Sequence, residues 1–316
     1  MDNTHHHNHS QDHGHSHGHH HQVPANFNKA FAIGITLNLI FVIIEGSFGF
    51  FSNSLALLAD AGHNLSDVLG LVIAWIASVL VRKKPTDTFT FGLRSSSIFA
   101  ALGNAVFLMA AVGAVLWEAL HRFQNPPAVS TNIMITVAAI GILINGITAY
   151  LFSAGHKNDL NIKSAYLHMM ADALVSLGVV AAGFLMMWTG YNWIDPLVSV
   201  VVSLVILRGT WSLLRESMRL AMQAVPEGIK RSEVLNFLKN KKGVAKVHDL
   251  HIWGVSTTEN ALTAHLVMPL GHPGDSFLHH VSVELTQKFE IHHATLQIEI
   301  GDDPKHPCAL ESDEVL

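Results

Sequence analysis

Long apolar stretches with almost no charged residues constrain this chain more than any other feature. From Phe31 to Val81 the only Asp, Glu, Lys or Arg residues are Glu45, Asp60 and Asp67, and residues 95–117 contain none. Over the whole chain 49% of residues are hydrophobic and 14% are charged, against about 25% charged in a soluble domain. The composition is therefore that of a membrane protein.

Short polar segments divide the apolar region into six pieces, each with about the 20 residues that a helix needs to cross about 30 Å of hydrocarbon. These dividing segments are 51–54, 81–94, 121–131, 155–163 and 188–193. A cleaved signal peptide is not expected, because the first 26 residues are polar and the first apolar segment is too long for a signal core. We expect a bundle of six transmembrane helices over residues 27–220.

Basic residues near the span ends predict the orientation. With the N-terminus inside, the outer loops contain only Arg122, whereas ten Lys and Arg residues lie near the cytoplasmic span ends. These ten are Lys29, Arg82, Lys83, Lys84, Arg94, Lys157, Lys163, Arg208, Arg215 and Arg219. We expect both termini in the cytoplasm, and the short loops favour the inner membrane of a bacterium.

Both ends of the chain carry groups that bind metals. Residues 5–21, within the polar segment 1–26, contain ten histidines among Gly, Ser, Asn and Asp, a composition that cannot build a core. We interpret 1–26 as a disordered, metal-collecting tail rather than an expression tag, which would be an unbroken His run. The single cysteine, Cys308, lies in a C-terminal tail at 306–316 and is either a ligand or an inert thiol.

Between these ends, charge returns and the apolar runs shorten after about residue 225. Helices are predicted at 227–243 and 273–290, and strands at 244–256, 260–270 and 294–300. The order αββαβ predicts a small cytoplasmic α+β domain of the ferredoxin-like kind over residues 221–305.

Two pairs of polar residues repeat the same spacing inside the apolar segments. His63 and Asp67 are four residues apart, and so are His168 and Asp172, which places each pair on one face of a helix. At about 1.5 Å per residue, the first pair lies roughly 12 and 18 Å below the outer surface and the second roughly 9 and 15 Å above the inner surface. Both pairs are therefore expected at the middle of the membrane.

Two imidazole nitrogens and two carboxylate oxygens suit tetrahedral Zn²⁺, with Cd²⁺ and Co²⁺ as companions. The alternatives are a hydrogen-bonded link between helices and a proton relay without a metal; the recurrence of the pair at matching depth favours the metal. Asp60 would either line an exit path or cap the start of its span. Glu45 would be either polar lining or structural.

Two histidines of the C-terminal domain lie on strands that are predicted to be neighbours. His248 and His265 would meet across the hairpin, whereas His251, three residues from His248, is expected on the opposite face. Ordinary surface histidines are the alternative, and His279 and His280 could substitute for either ligand.

The six spans, the His-rich start and the motifs "ADAGHNLSD", "HMMAD" and "VHDLHIW" together resemble the cation diffusion facilitator family, and in particular its bacterial zinc exporters. The resemblance implies a homodimer that exchanges cytoplasmic zinc for external protons by alternating access. It places His63, Asp67, His168 and Asp172 at the transport site. It implies neither an enzyme nor a nucleic-acid partner.

The resemblance also implies zinc ligands in the C-terminal domain, where bound zinc would be structural or would regulate transport. By position they are His248, His265, His292, Glu299 and, more distantly, Cys308. Two departures from the family pattern stand out. Ser96 occupies a position where an acidic residue is common, and the loop between the second and third spans has only Asp87, so no further site is predicted there.

Two other classes of protein compete with a transporter. A membrane metalloenzyme would show HExxH, or several HxxxH clusters at the cytoplasmic edge of its spans, and neither pattern is present in residues 27–220. A metal sensor without transport would explain the histidines of the C-terminal domain, but not two pairs that converge at mid-membrane. The sequence thus favours a secondary transporter of zinc.

Overall fold

The computed structural model describes residues 29–81, 83–153 and 160–301. Six long helices come first: α1 (Lys29–Phe51), α2 (Leu55–Val81), α3 (Ser96–Arg122), α4 (Thr131–Ser153), α5 (Leu160–Thr189) and α6 (Ile194–Ala221). A smaller C-terminal domain follows, with α7 (Arg231–Lys239), β1 (Lys246–Gly254), β2 (Asn260–Val267), α8 (Asp275–Phe289) and β3 (Ile291–Glu299).

Four of the helical segments are long and apolar enough to cross a membrane. They are Ser96–Arg122, Thr131–Tyr150, Tyr166–Thr189 and Ile194–Ala221, and Thr36–Phe51 forms a shorter apolar helix. Large apolar side chains such as Phe99, Leu143 and Trp188 are exposed on the bundle, as lipid-facing positions require. Within the described ranges, length and composition thus identify four spans directly, fewer than the six that the sequence predicts.

Close helix contacts hold the bundle together. Helix α4 packs along α5, α3 along α6, and α2 against both α1 and α3. A Cβ atom at Gly141 would lie 2.7 Å from Phe41 Cζ, and one at Gly183 would lie 2.5 Å from Ile135 Cγ1. Only glycine lets α4 approach α1 and α5 this closely, which is how helices commonly pack in membranes.

The start of α2 is capped by a residue of another helix. Asp195 of α6 accepts hydrogen bonds from the backbone N–H groups of Leu55 (2.9 Å) and Ala56 (3.4 Å) and from the Ser54 hydroxyl (2.7 Å). A carboxylate at a helix N-terminus satisfies donors that the helix itself leaves unpaired. The interpretation of Asp60 as the cap is therefore wrong, because Asp195 fills that role.

The C-terminal domain has the predicted order of elements. Its sheet has the strand order β1-β2-β3, with β1 antiparallel and β3 parallel to β2. Helices α7 and α8 cover one face through a buried core that includes Leu238, Leu266 and Leu285. Strand β3 starts at Ile291, three residues before the predicted strand.

The two domains touch where α3 begins. Arg94 pairs with Glu259 in the β1–β2 turn, and the Ser97 hydroxyl accepts a hydrogen bond of 3.1 Å from the Thr257 backbone N–H. Ser96, which stands where relatives of the predicted family often have an acid, donates instead to the Leu93 carbonyl at 2.6 Å. The C-terminal domain is thus anchored to the first turn of α3.

Candidate metal centre

Helices α2 and α5 bring the two predicted pairs together in the bundle. We call His63, Asp67, His168 and Asp172 the bundle cluster. His63 Nε2 lies 3.5 Å from an oxygen of Asp67 and 3.5 Å from an oxygen of Asp172. His168 Nε2 lies 3.1 Å from Asp67 Oδ2 and 3.6 Å from Asp172 Oδ2. Each imidazole therefore faces the carboxylate of its own helix and that of the other.

These separations have the size that a zinc ion would impose. Ligand bonds of about 2.0–2.1 Å in a tetrahedron place neighbouring ligand atoms about 3.3 Å apart. His63, His168 and Asp172 each offer a ligand atom within 4.8 Å of the others. Asp67 is outside that tightest group, yet its Oδ2 is 3.1 Å from His168 Nε2. Since carboxylates repel each other, a cation between them would draw Asp67 in.

The members of the bundle cluster differ in their exposure. The Asp172 side chain is 3% exposed, whereas those of His63, Asp67 and His168 are 21%, 26% and 28% exposed. Two buried atoms, His63 Nδ1 and Asp172 Oδ2, make no hydrogen bond in the described part of the chain. Buried polar atoms that lack such a bond are uncommon and often mark a missing ion or water.

Further polar side chains lie beside the bundle cluster, towards the loop that joins α1 and α2. The Asn64 amide donates a hydrogen bond of 3.1 Å to Glu45 Oε2, and the Ser176 hydroxyl donates one of 3.0 Å to Asp60 Oδ2. Glu45 and Asp60 are both fully buried. The sequence indicated Glu45 and Asp60 as polar residues of the bundle, but it did not predict Asn64 and Ser176 as their hydrogen-bond partners.

A second group, the C-terminal cluster, consists of His248, His265 and Glu299. One ligand atom from each lies within 4.8 Å of the others. His248 Nε2 is 2.9 Å from Glu299 Oε2, and His265 Nδ1 is 2.8 Å from Glu299 Oε1. Burial alone would raise the pKa of the Glu299 carboxyl, but the hydrogen bond with His248 and the charges of both histidines outweigh it and lower that pKa.

Asp249 lies beside the C-terminal cluster, although the sequence did not indicate it. Its carboxylate lies 3.3 Å from His265 Nε2 and 2.8 Å from His251 Nε2. A β-bulge between His248 and His251 makes this possible, since Asp249 adopts a left-handed φ of 49°. The expectation that His251 faces away from His248 is wrong, because it assumed unbroken strand alternation. The sequence signal that was missed is the Asp between the two histidines of "VHDLH".

Three other predicted ligands stay outside both clusters. His292 is exposed at the start of β3, whereas Glu299 is at its end, so one protomer does not bring the two together. His279 and His280 are exposed on α8 and do not replace either histidine of the C-terminal cluster. Cys308 and the His-rich segment 5–21 lie outside the described residues.

Comparisons with known proteins cover most of the chain. The profile of the cation efflux transmembrane domain matches residues 31–220, and that of the cytoplasmic domain of cation efflux proteins matches residues 226–300. A Bacillus subtilis protein named cadmium, cobalt and zinc/H(+)-K(+) antiporter is 37% identical over 276 residues, 86% of this chain and 88% of its own length.

Two further relatives have similar coverage. The metal cation efflux system protein CzcD of Cupriavidus metallidurans is 35% identical over 90% of this chain and 89% of its own length. The zinc transporter ZitB of Escherichia coli is 34% identical over 85% of this chain and 86% of its own length. The matched region includes both the bundle cluster and the C-terminal cluster.

Proposed function

Because the chain belongs to the cation efflux family, with a membrane domain of helices and a cytoplasmic C-terminal domain, we propose that it exports Zn²⁺ from the cytoplasm in exchange for protons. The bundle cluster is the transport site in this proposal. His63 and His168 supply imidazole nitrogens, and Asp67 and Asp172 supply carboxylate oxygens.

One observation carries the proposal: α2 and α5 place two histidines and two aspartates 3.1–3.6 Å apart inside the bundle. Ionisable residues within membrane segments are costly and usually functional. A purely structural pair would need one His and one Asp, whereas here each His faces two carboxylates. The ligand set favours Zn²⁺, with Cd²⁺ and Co²⁺ as further substrates. The name of the Bacillus subtilis relative includes the same three metals.

Proton exchange follows from the chemistry of the ligands. Zinc binds neutral imidazole and ionised carboxylate, so its arrival displaces protons and protons displace it. An unperturbed histidine titrates near pH 6.5, within the range of pH values found on the two sides of a cell membrane. If the bundle opens alternately to each side, protons that enter at the outer face release the zinc and are carried inward.

The organisation of the chain completes the proposal. Helices α1 to α6 all span the membrane as the domain 27–220, with segment 1–26, domain 221–305 and segment 306–316 in the cytoplasm. The relatives are bacterial, which favours the inner membrane of a bacterium. The cytoplasmic domain pairs with a second copy in a homodimer. The protein acts as a transporter and not as an enzyme.

The C-terminal cluster binds a regulatory Zn²⁺ in this proposal. Three ligands within 4.8 Å and the neighbouring Asp249 fit a zinc ion. Zinc bound there would change how the cytoplasmic domains pair and thereby the transport rate. The zinc concentration that gives half-maximal transport should therefore shift when His248 and His265 are both replaced by alanine, and an unchanged value would exclude regulation at this cluster.

The transport site is tested by zinc flux in proteoliposomes with an imposed pH gradient. We expect the wild type to transport zinc in the direction opposite to the flow of protons. Asp172→Ala should lose this zinc flux. Glu118→Gln is the matched control, since Glu118 is half-exposed and pairs with Arg122 at 2.9 Å, away from the cluster. Normal flux in Asp172→Ala would make the paired motifs structural. No flux in the wild type would favour a membrane metal sensor.

A further inference from the structure

Two carboxylic acids of the bundle are buried without any role in the zinc site. Glu45 on α1 and Asp60 on α2 have 0% exposure. Adjacent residues show how closely these helix segments approach, because a Cβ at Gly46 would lie 3.8 Å from Ala61 Cβ. Glu45 and Asp60, each one residue earlier, therefore lie on segments of α1 and α2 that pack directly against each other.

Each carboxyl has one satisfied oxygen and one unsatisfied oxygen. Glu45 Oε2 accepts from Asn64, and Asp60 Oδ2 accepts from Ser176. Glu45 Oε1 and Asp60 Oδ1 are buried and receive no hydrogen bond within the described residues. Two carboxylate oxygens cannot bond to each other, but a proton on one of them makes it a donor to the other.

The surroundings offer little to stabilise two negative charges. Among the described residues, the ionisable neighbours of the pair include His63 on α2 and Asp172 on α5, of which Asp172 adds a further negative charge. Helix α4, which packs against α1, has no Asp, Glu, His, Lys or Arg over Thr131–Ser153. Asp195 on α6 is occupied at the cap of α2. Two carboxylates that share a buried site cannot both ionise readily, so one holds a proton.

We propose that Glu45 and Asp60 share a proton that leaves when zinc enters the bundle cluster and returns when zinc leaves. The proposal rests on the proposed function, and it adds a proton carrier outside the four ligands. Asp60 precedes His63 by about one helical turn, roughly 4.5 Å along the axis. At that range the two positive charges of Zn²⁺ favour the ionised form of both acids. The released proton passes to the water on the side to which the site is open.

Asp195 provides a matched control for this proposal. It is another fully buried carboxyl of the bundle, but its oxygens accept from Ser54 Oγ, the Leu55 N–H and the Ala56 N–H. Those donors stabilise its ionised form without a shared proton. Replacement of Asp195 should therefore leave the proton count of zinc binding unchanged.

The experiment counts the protons that the full-length protein in detergent releases for each zinc ion bound. Calorimetric titration with Zn²⁺ in two buffers of different protonation enthalpy gives this number. Subtracting the proton release of Asp172→Asn from that of the wild type removes the contribution of the C-terminal cluster and leaves that of the bundle cluster. We expect Glu45→Gln and Asp60→Asn to bind zinc at the bundle cluster and to release about one proton fewer than the wild type. Asp195→Asn should release the wild-type number.

Each outcome decides a different point. Wild-type proton release in both Glu45→Gln and Asp60→Asn would overturn the shared proton. Loss of zinc binding in a variant that still elutes as a folded, monodisperse protein would make the pair part of the metal site and would equally overturn it. If Glu45→Gln does not fold, Asp60→Asn gives the same measurement. If Asp172→Asn binds as much zinc as the wild type, the proposed transport site fails first.

Discussion

The bundle cluster and the C-terminal cluster both combine imidazole and carboxylate groups, but they do so on different scaffolds. In the bundle, each of two helices presents a histidine and an aspartate one turn apart. In the C-terminal domain, three strands contribute one residue each, with His248 opposite His265 and Glu299 on the far strand. A helix brings together ligands that are four residues apart, whereas a sheet brings together ligands that are far apart in the sequence.

The two clusters also differ in how tightly they are assembled. The nitrogen–oxygen separations are 2.8 and 2.9 Å in the C-terminal cluster but 3.1–3.6 Å in the bundle cluster. Glu299 thus holds its two histidines in hydrogen bonds, while the bundle residues are held only loosely. Ordered ligands suit an ion that stays, and looser ligands on two separate helices suit an ion that must be released.

The largest expected difference between the clusters is in transport. His168→Ala should reduce zinc flux in proteoliposomes by at least about 100-fold, because in the proposed function it removes a ligand of the transported ion. His265→Ala should keep the flux at saturating zinc within about 3-fold of the wild type, because its site is outside the transport path.

Flux and zinc content are measured on the same preparations. His265→Ala should bind less zinc even though it transports. If both variants lose transport equally, the division into a transported and a resident ion is wrong.

Replacement of Asp249 is expected to have a smaller effect, on the zinc affinity of the C-terminal cluster. It tests whether the β-bulge brings this carboxylate to the cluster. Asp249→Asn preserves the left-handed backbone, which asparagine tolerates, but removes the charge beside His265. Zinc affinity of the C-terminal cluster should fall about 10-fold, the usual effect of changing a residue that orients a ligand. Competition with a chelator measures it, and Glu233→Gln on the surface of α7 is the control. Equal affinities would show that Asp249 does not act on the cluster.

The smallest effect concerns a carboxylate outside both clusters. Hydrogen bonds from Lys241 (2.6 Å) and Lys288 (2.9 Å) lower the pKa of Glu284 from 4.5 to about 2. A lowered carboxyl pKa stabilises the fold above pH 4.5 and loses that effect as the pH falls towards 2. Because the Glu284 side chain is 34% exposed and its ion pairs are screened by solvent, Glu284→Gln should lower the melting temperature by only about 2 °C at pH 7.

The difference in melting temperature between Glu284→Gln and the wild type should shrink when the same melting curves are recorded at about pH 4. Glu227→Gln, whose partner Arg219 is 3.8 Å away, is the control and should change less. A difference that grows on acidification would contradict the assigned direction of the shift.

Local patterns in the sequence predicted much of this molecule correctly. The apolar segments predicted a membrane domain, and the two HxxxD spacings predicted which side chains meet. The motifs identified the family, which the domain profiles confirm. The order αββαβ of the C-terminal domain was also correct. Helix periodicity and apolar length are properties of short segments, so neither requires knowledge of what a segment packs against.

The sequence alone thus determined the two His–Asp pairs of the bundle, because a spacing of four residues on a helix already places each pair on one face. The tertiary structure decided which helices meet, that Asp195 rather than Asp60 caps α2, and that Asp249 turns towards His265 at a bulge. It also decided that Glu45 and Asp60 lie on closely packed segments of α1 and α2. These contacts join residues of separate elements, and only packing of the whole chain brings such residues together.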